Sequence, residues 1–339
     1  MKTNSGITNT PKIVLLAGGV GGAKMAEGLM HSRYCDGLSI IGNVADDQEF
    51  HGLWVSPDID TLTYTLADRI DRQKGWGLKD DSNRTMSALT DLGVDTWMYL
   101  GDLDFATHIY RTEQRRKGIR PSTIAAHIAN KMGIEVPILL PTDDRVQTQI
   151  ETSLGWLDFQ SYFVKNQCQP EITSIKFDGI STAKPTPESL QAIKEADIIL
   201  FAPSNPIVSI GPILSIPGIR EALQLSSAYK LAVSPIINGL TIKGPADKML
   251  QASGYQTSVL GVADCYQGVI DGLVIDHKDH AHQTALIQRG LDVLIVNTFM
   301  ETREDKITLA ERSINWANKI YVSADDDPTG YTAQQAGYL

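Results

Sequence analysis

Short, uninterrupted apolar runs of four to six residues recur along the chain and alternate with longer amphipathic stretches. The apolar runs occupy residues 12–17, 38–43, 136–140, 198–202, 231–234, 258–262, 272–275 and 293–296. Stretches with helical periodicity occupy residues 23–32, 59–72, 85–92, 122–132, 187–196 and 309–320. Runs this apolar are typical of strands buried on both faces, and their alternation with helices favours parallel pairing. The pattern predicts a Rossmann-like, three-layer α/β/α fold with a largely parallel sheet.

Two segments depart from this rhythm. Residues 147–182 are rich in aromatic side chains and predict an inserted subdomain of mixed strands that would cover a site. Residues 1–11 are polar and lack the apolar core of a signal peptide, so we expect a disordered tail. The remainder, residues 12–339, is predicted to be a single Rossmann-like domain that contains the insertion.

Composition narrows the classes of function. The 339 residues include 40 acidic and 30 basic side chains, a formal net charge of −10, which excludes a basic protein that coats nucleic acid. No run approaches the ~20 apolar residues of a membrane span. The three cysteines are widely spaced, which fits a reducing compartment. We therefore expect a soluble, cytoplasmic protein without a nucleic-acid or membrane partner.

A glycine-rich loop follows the first predicted strand. It contains Gly18, Gly19, Gly21 and Gly22, and Lys24 follows it. Glycines let backbone N–H groups approach an anion, and the start of the next helix adds partial positive charge. The spacing matches neither the Walker A motif nor GxGxxG. We interpret the loop as a phosphate cradle with Lys24 as a neutralising charge; the alternative is a tight turn followed by a solvated lysine.

Four carboxylates follow at two neighbouring positions of the predicted sheet. Asp46 and Asp47 come after the second strand, and Asp58 and Asp60 lie in the next loop. Loops at the carboxyl edge of a parallel sheet converge, and clustered carboxylates suit Mg²⁺. We predict a magnesium site beside the glycine loop, with Asp46 and Asp60 as the stronger candidates among the four. Asp58 alternatively fits the cap of the following helix.

Further polar residues lie near predicted element ends. Arg84 and Thr85 begin a helix, and the planar guanidinium of Arg84 suits a phosphate or carboxylate, although an ordinary surface arginine is an equal alternative. Asp102 follows a short strand predicted at residues 96–100. Ser204 and Asn205 lie between two prolines after the most apolar strand. This rigid loop would present a hydroxyl and an amide to a base or a phosphate, unless its rigidity serves only the fold.

Eight motifs in order carry a family resemblance: LAGGVGGAK, NVADD, SPDIDT, GWGLKDDSNRT, GDLDFATHIYR, TDDRVQT, APSNPIVSIGPILSIPGIR and SPIINGLTIKGPADK. On these motifs the chain resembles the CofD/FbiA family of 2-phospho-L-lactate transferases over nearly its whole length. The stretch QEFHGLWV after NVADD is less typical of the family. The resemblance implies an enzyme of coenzyme F(420) biosynthesis. Such an enzyme transfers a 2-phospholactyl, phosphoenolpyruvyl or phosphoglyceryl group from a guanosine diphosphate-linked donor to the ribityl hydroxyl of the deazaflavin Fo, and releases GMP.

The resemblance also implies roles for the candidate residues. Mg²⁺ would be held by the catalytic residues Asp46 and Asp60, with Asp47 either as a third oxygen ligand or as a hydrogen-bond partner of the ligands. One of these carboxylates would also accept the Fo hydroxyl proton. Asp47 and Asp58 would contact the substrate. The glycine loop would hold the diphosphate, Ser204 and Asn205 the guanosine. The Fo side would be formed by Arg84, Thr85 and the loop of Asp102, residues 101–108. A homodimer and functional coupling to a guanylyltransferase are implied as well.

Two other functional classes compete with the transferase. A non-catalytic nucleotide or nucleotide-sugar regulator of the YvcK type would use the same glycine loop, but it does not require clustered metal carboxylates. An NAD(P)-dependent oxidoreductase is disfavoured because the GxGxxG spacing fails. The transferase is the function that the sequence favours.

Overall fold

The computed structural model of the protein describes residues 10–241 and 244–326. Of the predicted tail, residues 1–9 lie outside the described residues. The strands are β1 (Ile13–Ala17), β2 (Leu38–Gly42), β3 (Gln48–Phe50), β4 (Leu53–Val55), β5 (Ile138–Leu139), β6 (Gln147–Thr152), β7 (Gly155–Asp158), β8 (Ile172–Asp178), β9 (Ile198–Phe201), β10 (Tyr229–Val233), β11 (Ile236–Ile237), β12 (Leu240–Thr241), β13 (Gly272–Asp276) and β14 (Asp292–Val296).

The α-helices are α1 (Gly19–Met30), α2 (Pro57–Leu66), α3 (Arg84–Asp91), α4 (Asp102–Arg116), α5 (Pro121–Lys131), α6 (Pro187–Glu195), α7 (Gly211–Ser215), α8 (Ile219–Leu225), α9 (Ala246–Ala252), α10 (Val259–Cys265), α11 (Gln283–Ile287) and α12 (Arg303–Asp326). Shorter helical turns occupy Cys35–Gly37, Ser161–Lys165, Ile180–Thr182, Pro206–Ile210 and His277–His282. Within the described ranges, no helix combines the length and the hydrophobicity needed to cross a membrane.

Seven of the described strands form one parallel sheet in the order β14-β13-β10-β9-β1-β2-β5. Along β1, Leu15 is paired with Ile40 of β2 and Leu200 of β9. Successive side chains of a strand point to opposite faces, so Leu15 packs with the core beneath α1, α2, α5 and α12, and Leu16 with the core beneath α6 to α8 and α10. Both faces of the sheet are covered, which confirms the predicted three-layer α/β/α fold.

Two predicted strands are wrong. Residues 258–262 begin helix α10, where the Ser258 hydroxyl caps the helix by accepting the Gly261 N–H at 3.4 Å. Val259 and Val262 both pack into the core, at a spacing that a short helix buries as well as a strand does. Residues 96–100 form no strand and contain a bend at Met98. Short apolar runs do not by themselves distinguish the two elements.

Residues 147–182 form an antiparallel sheet in the order β7-β6-β8. Ile150 and Tyr162 of this segment are fully buried against Val208 and Met249 of the main domain. This contact holds the segment beside the loop that follows β9, so its aromatic side chains lie near the carboxyl edge of the central sheet. Its identity as a separate subdomain stays a prediction.

The strand order creates a crevice at one place. β1 lies between β2 and β9, and the chain leaves β1 toward β2 while β9 returns on the other side. At such a switch point the loops that follow the two strands diverge and leave a ligand-binding crevice at the carboxyl edge. Here those loops are the glycine loop after β1 and the Pro203–Pro206 loop after β9.

Candidate functional site

A cavity of about 460 Å³ opens at this switch point. The glycine loop, the Pro203–Asn205 loop and the start of α2 form one part of its wall. Helix α4 and the segments around residues 76, 99 and 160 form the other part. Aromatic side chains are concentrated in this second part, namely Trp76, Tyr99, Phe159 and Phe163. The cavity therefore has a polar region at the glycine loop and an apolar, aromatic region beyond it.

Ser204 joins the two loops across the crevice. Its hydroxyl donates to the Gly18 carbonyl at 2.7 Å and accepts the Gly18 N–H at 3.2 Å. A Cβ on Gly21 would lie 2.1 Å from the Pro203 carbonyl oxygen. Gly21 is thus required for close packing of the two loops, a structural role that the sequence did not indicate. Ser204 lines the cavity while its hydroxyl is engaged with the backbone.

Helix α1 begins at Gly19, directly at the cavity. Gly18 precedes the helix and has no side chain to cap it, and the Gly19 N–H is bound by the Asp58 carboxylate. The N–H groups of Val20 and Gly21 in the same turn are the ones that suit an anion. Gly19 has a φ of +61°, and a Cβ there would meet no atom within 4 Å. Lys24 also lines the cavity, with its ammonium donating to the Met300 carbonyl at 2.7 Å. The geometry of this end of the cavity suits a phosphate.

Asp46 and Asp58 form a buried carboxylate pair next to the loop. The Asn43 amide donates to Asp58 Oδ2 at 3.0 Å and to Asp46 Oδ2 at 3.4 Å. Burial raises the pKa of Asp46 well above its usual range, and the nearby charge of Asp58 adds to this effect. Burial also raises the pKa of Asp58, to about 6, although hydrogen bonds from Asn43 and the Gly19 backbone oppose it. Both groups would be stabilised as anions by a bound cation.

One atom of the pair lacks a partner. Asp46 Oδ1 is buried and makes no hydrogen bond of normal geometry with any described residue. The Thr148 hydroxyl lies near enough to the Asp46 carboxylate to lower its pKa, but it does not reach the geometry of a full hydrogen bond. Buried carboxylate oxygens are normally paired, so this one fits the position of a ligand atom. The alternative that Asp58 caps helix α2 is wrong, because Ser56 is at the cap position and Asp58 lies in the first turn.

Asp60 lies in the same cavity wall but is paired differently. The buried guanidinium of Arg111 forks onto both of its carboxylate oxygens, with Nη1 3.1 Å from Oδ2. Arg111 also donates to His108 Nδ1 at 3.2 Å. Burial, together with the positive charge of Arg111, lowers the pKa of His108 to about 4, although Asp60 opposes the shift. His108 is therefore neutral at physiological pH.

Asp104 extends this network toward the aromatic part of the cavity. It accepts the Tyr64 hydroxyl at 2.6 Å and lies 3.8 Å from His108 Nε2. Burial raises its pKa to about 6, and the negative charge of Asp60 adds to the shift. All of these groups line the cavity. The sequence analysis placed Asp104 and His108 in a predicted ligand-binding loop but gave neither them nor Arg111 a role, although their spacing of four and three residues places all three on one face of α4.

Asp47 lies apart from Asp46 although the two are adjacent in sequence. It accepts the Ser56 hydroxyl at 2.7 Å and the Trp54 indole N–H at 3.1 Å. Burial raises its pKa to about 7. Asp47 borders a smaller pocket with Trp54 and Arg115 and does not line the main cavity. The structure thus does not bring it together with Asp46 as a ligand, and its predicted role in substrate binding stays a prediction.

Three other candidates lie outside the cavity wall. Asp102 accepts the backbone N–H groups of Arg84 at 3.1 Å and Thr85 at 2.9 Å and so holds the start of α3. Arg84, Thr85 and Asp102 do not line the cavity, and neither does Gly22. Asn205 does line it; its side-chain oxygen accepts the Ile207 N–H at 2.9 Å. The predicted contacts of Arg84, Thr85 and Asp102 with the acceptor stay predictions.

Magnesium was predicted between Asp46 and Asp60. Within the described ranges, no three His, Cys, Asp or Glu side chains converge as a complete metal site. Mg²⁺ is commonly held by only one or two carboxylates together with waters and substrate phosphates. The unpaired Asp46 oxygen and the raised pKa of Asp46 fit such an ion. Its presence stays a prediction.

Comparison with known proteins decides the family. The sequence model of the 2-phospho-L-lactate transferase CofD matches residues 13–313. The chain belongs to the CofD family. It is therefore a transferase, as the eight motifs predicted.

Individual members of the CofD family are similar to the chain over most of their length. A 2-phospho-L-lactate transferase of Methanococcoides burtonii is 38% identical over 89% of this chain and 98% of its own. One of Methanocaldococcus jannaschii is 35% identical over 91% and 99%. A phosphoenolpyruvate transferase of Streptomyces coelicolor is 36% identical over 91% and 99%. The chain is thus similar to enzymes named for two different phospho-acids.

Solved structures support the fold of this CofD-family chain. The crystal structure of protein BH3568 from Bacillus halodurans has a TM-score of 0.61 at 18% identity and covers 90% of this chain and 99% of its own. A second crystal structure of that protein, described as a member of the UPF0052 family, has a TM-score of 0.59 at 17% identity. At this level of identity the likeness concerns the architecture alone.

Proposed function

We propose that this CofD-family transferase moves a phospho-acyl group from a guanosine diphosphate-linked donor to the terminal ribityl hydroxyl of the deazaflavin Fo. The products are GMP and F(420)-0 or its analogue, and the step belongs to coenzyme F(420) biosynthesis. The names of the relatives support the transfer of a phospho-acid unit, either 2-phospholactate or phosphoenolpyruvate. The proposal includes coupling to a guanylyltransferase that supplies the donor, and a homodimeric, cytoplasmic enzyme.

The single observation that carries this proposal is the two-part cavity. One end presents the start of α1 and the glycine loop, which suit a diphosphate. The other end is walled by Trp76, Tyr99, Phe159 and Phe163, which suit a flat, fused-ring ligand. One cavity can thus hold an anionic donor and an aromatic acceptor side by side, as transfer between them requires.

The residues at the anionic end fit Mg²⁺. Asp46 would hold the ion through its unpaired oxygen, and Asp58 and Asp60 border the same cavity. When bound, Mg²⁺ would neutralise charge on the diphosphate and stabilise the leaving GMP. Asn43 keeps the Asp46 and Asp58 side chains oriented. Because the chain has a net charge of −10, neutralisation of the donor must be local.

The reaction needs no covalent enzyme intermediate. The terminal hydroxyl oxygen of Fo forms a bond to the phosphorus that carries the acyl unit, while the bond from that phosphorus to the bridging oxygen breaks and GMP leaves with the electron pair. The hydroxyl proton is lost to a carboxylate or to water. The role of the protein is to hold the two substrates in line and to supply donors for the transferring phosphoryl group.

Mass analysis of the product tests the proposal. The enzyme is incubated with Fo, GTP, a guanylyltransferase and one phospho-acid at a time, namely 2-phospholactate, phosphoenolpyruvate or a phosphoglycerate. We expect a phosphodiester of Fo with at least one acid, together with GMP. No product with any acid would contradict the proposal. Tight binding of a guanine nucleotide in the absence of transfer would instead favour the non-catalytic regulator.

A further inference from the structure

Tyr64 of α2 and Asp104 and His108 of α4 form a polar network in the cavity wall, and none of the three has a role in the transfer proposed above. Asp104 is 6% exposed and lines the cavity, with Oδ1 accepting the Tyr64 hydroxyl at 2.6 Å. Its other oxygen has no hydrogen bond to any residue in the described part of the chain, and it lies 3.9 Å from where a Cβ on Gly77 would be. Asp104 is therefore held in place at one oxygen and open at the other, beside the aromatic end of the cavity.

His108 lies against the same carboxylate on its second side. Arg111 can only donate, so His108 Nδ1 accepts its hydrogen bond and the ring proton lies on Nε2. Nε2 is buried, makes no hydrogen bond within the described residues and lies 3.8 Å from Asp104 Oδ1. A protonated Nε2 offers no lone pair to a metal ion, so the Asp104–His108 pair is not arranged as a metal site.

The charges of this wall select the ligand group. Asp104 lies in it without an ion-pair partner, among the described residues, such as the one that Asp60 has in Arg111, and its carboxylate disfavours a phosphate. A neutral group that donates a hydrogen bond is the natural partner of the open Asp104 oxygen. Hydroxyl groups have this property, and the proposed acceptor carries a polyol chain beside its ring system.

We propose that Asp104 accepts a hydrogen bond from the ribityl hydroxyl that is to be phosphorylated, and that Tyr64 and His108 are positioning residues for its carboxylate. This inference rests on the proposed function, since it names the residue that recognises the acceptor. Asp104 selects acceptors with a hydroxyl at the reacting position and aligns that oxygen for attack. The Arg111–Asp60 pair fixes His108 behind it.

The test compares the affinity of the protein for Fo and for an Fo analogue whose terminal hydroxyl is replaced by hydrogen. Both are measured by calorimetry in the absence of donor, so that the result does not depend on turnover. A hydrogen bond to a carboxylate should make wild-type protein bind Fo about ten- to a hundredfold more tightly than the analogue. Asp104→Asn should reduce this preference to less than tenfold, because a neutral acceptor forms a weaker bond.

Tyr64→Phe provides a second variant that keeps the carboxylate but removes its anchor. It should also reduce the preference for Fo, while affinity for GDP stays unchanged in both variants because the glycine loop is intact. Tyr110→Phe is the matched control on the same helix as Asp104; Tyr110 stacks on His127 at 5.4 Å and does not line the cavity. Its preference should equal that of the wild type.

Three results would overturn the inference. If the wild type binds Fo and the analogue with equal affinity, the terminal hydroxyl makes no hydrogen bond with Asp104; the transferase function would not be contradicted by this result. If Asp104→Asn prefers Fo over the analogue as strongly as the wild type does, another residue binds the hydroxyl. If the wild type binds neither compound and forms no product from Fo, both the proposed function and this inference are wrong.

Discussion

The guanidinium of Arg111 and the carboxylate of Asp60 form a buried ion pair that joins helix α4 to helix α2 behind the cavity wall. Arg111 is 4% exposed and Asp60 5% exposed. Asp60 contacts Arg111 on one side and lines the ligand cavity on the other. The ion pair therefore links the stability of the cavity wall to the charge of the site.

Arg111→Met should destabilise the protein strongly. The substitution keeps an apolar side chain of similar length but leaves the buried Asp60 carboxylate without its partner. Removal of one member of a buried pair typically costs about 3–5 kcal/mol. Urea denaturation at neutral pH measures the loss. Arg116→Met on the exposed side of the same helix is the control and should change stability by less than about 1 kcal/mol. Equal, small effects of both variants would argue against the role of the pair.

Asp46→Asn should affect stability and activity in opposite directions. Burial raises the pKa of Asp46, so its ionised form is more costly in the folded than in the unfolded protein, and the neutral amide should raise the metal-free Tm. Turnover should fall about 10²- to 10³-fold.

Added Mg²⁺ supplies a readout for the same variant that is independent of turnover. At a hundred times its Kd, the ion should stabilise the wild type by about 2.7 kcal/mol and Asp46→Asn by much less. Asp36→Asn, an exposed change, should respond as the wild type does. An equal Mg²⁺ response in all three proteins would remove Asp46 from the metal site.

Glu27 should make the stability of the protein sensitive to acid. Burial alone would raise the pKa of Glu27, but hydrogen bonds from Arg72 and Lys306 outweigh burial and lower it to about 2 from a usual 4.5. A lowered folded-state pKa stabilises the protein above pH 4.5, by about 3 kcal/mol, and this contribution is lost as the pH falls from 4.5 toward 2.

Denaturation of Glu27→Gln across the same pH range checks this sign. The variant should be less stable than the wild type at pH 7, and the difference should shrink as the pH approaches 2. Glu195→Gln is the control, because the Lys12–Glu195 pair is exposed. A gap between Glu27→Gln and the wild type that does not change with pH would show that Glu27 contributes through packing instead.

Two substitutions separate the structural role of the glycine loop from its predicted role in phosphate binding. Gly21→Ala should lower the stability by about 1–3 kcal/mol, because its Cβ collides with the Pro203 carbonyl. Gly19→Asn should cost less stability, since asparagine tolerates a positive φ and the space around Gly19 is open.

Calorimetry with GDP gives the second half of this comparison. Gly19→Asn places a side chain at the cavity end of α1, so GDP affinity should fall at least tenfold while the fold is retained. Unchanged GDP affinity in folded Gly19→Asn protein would mean that the loop is a turn and does not bind the diphosphate.

The layered fold could be predicted because burial and periodicity are local properties of the chain. The unbroken apolar runs that became β1, β2, β9, β10, β13 and β14 indicated a sheet covered on both faces, as the structure confirms. The run at 258–262 was assigned wrongly because a short buried helix and a short buried strand have the same composition, and the Ser258 cap decided for the helix.

The sequence by itself also indicated which loops carry polar chemistry, since glycines and carboxylates follow the strand ends. It did not determine which side chains meet. Asp46 and Asp47 are neighbours in sequence, yet only Asp46 faces the cavity, because the chain turns between them after β2. Ser204 reaches Gly18 across 186 positions, and Arg111 reaches Asp60 across 51. Such contacts depend on how helices rotate and pack on the sheet, and that arrangement results from the whole core, which no local pattern encodes.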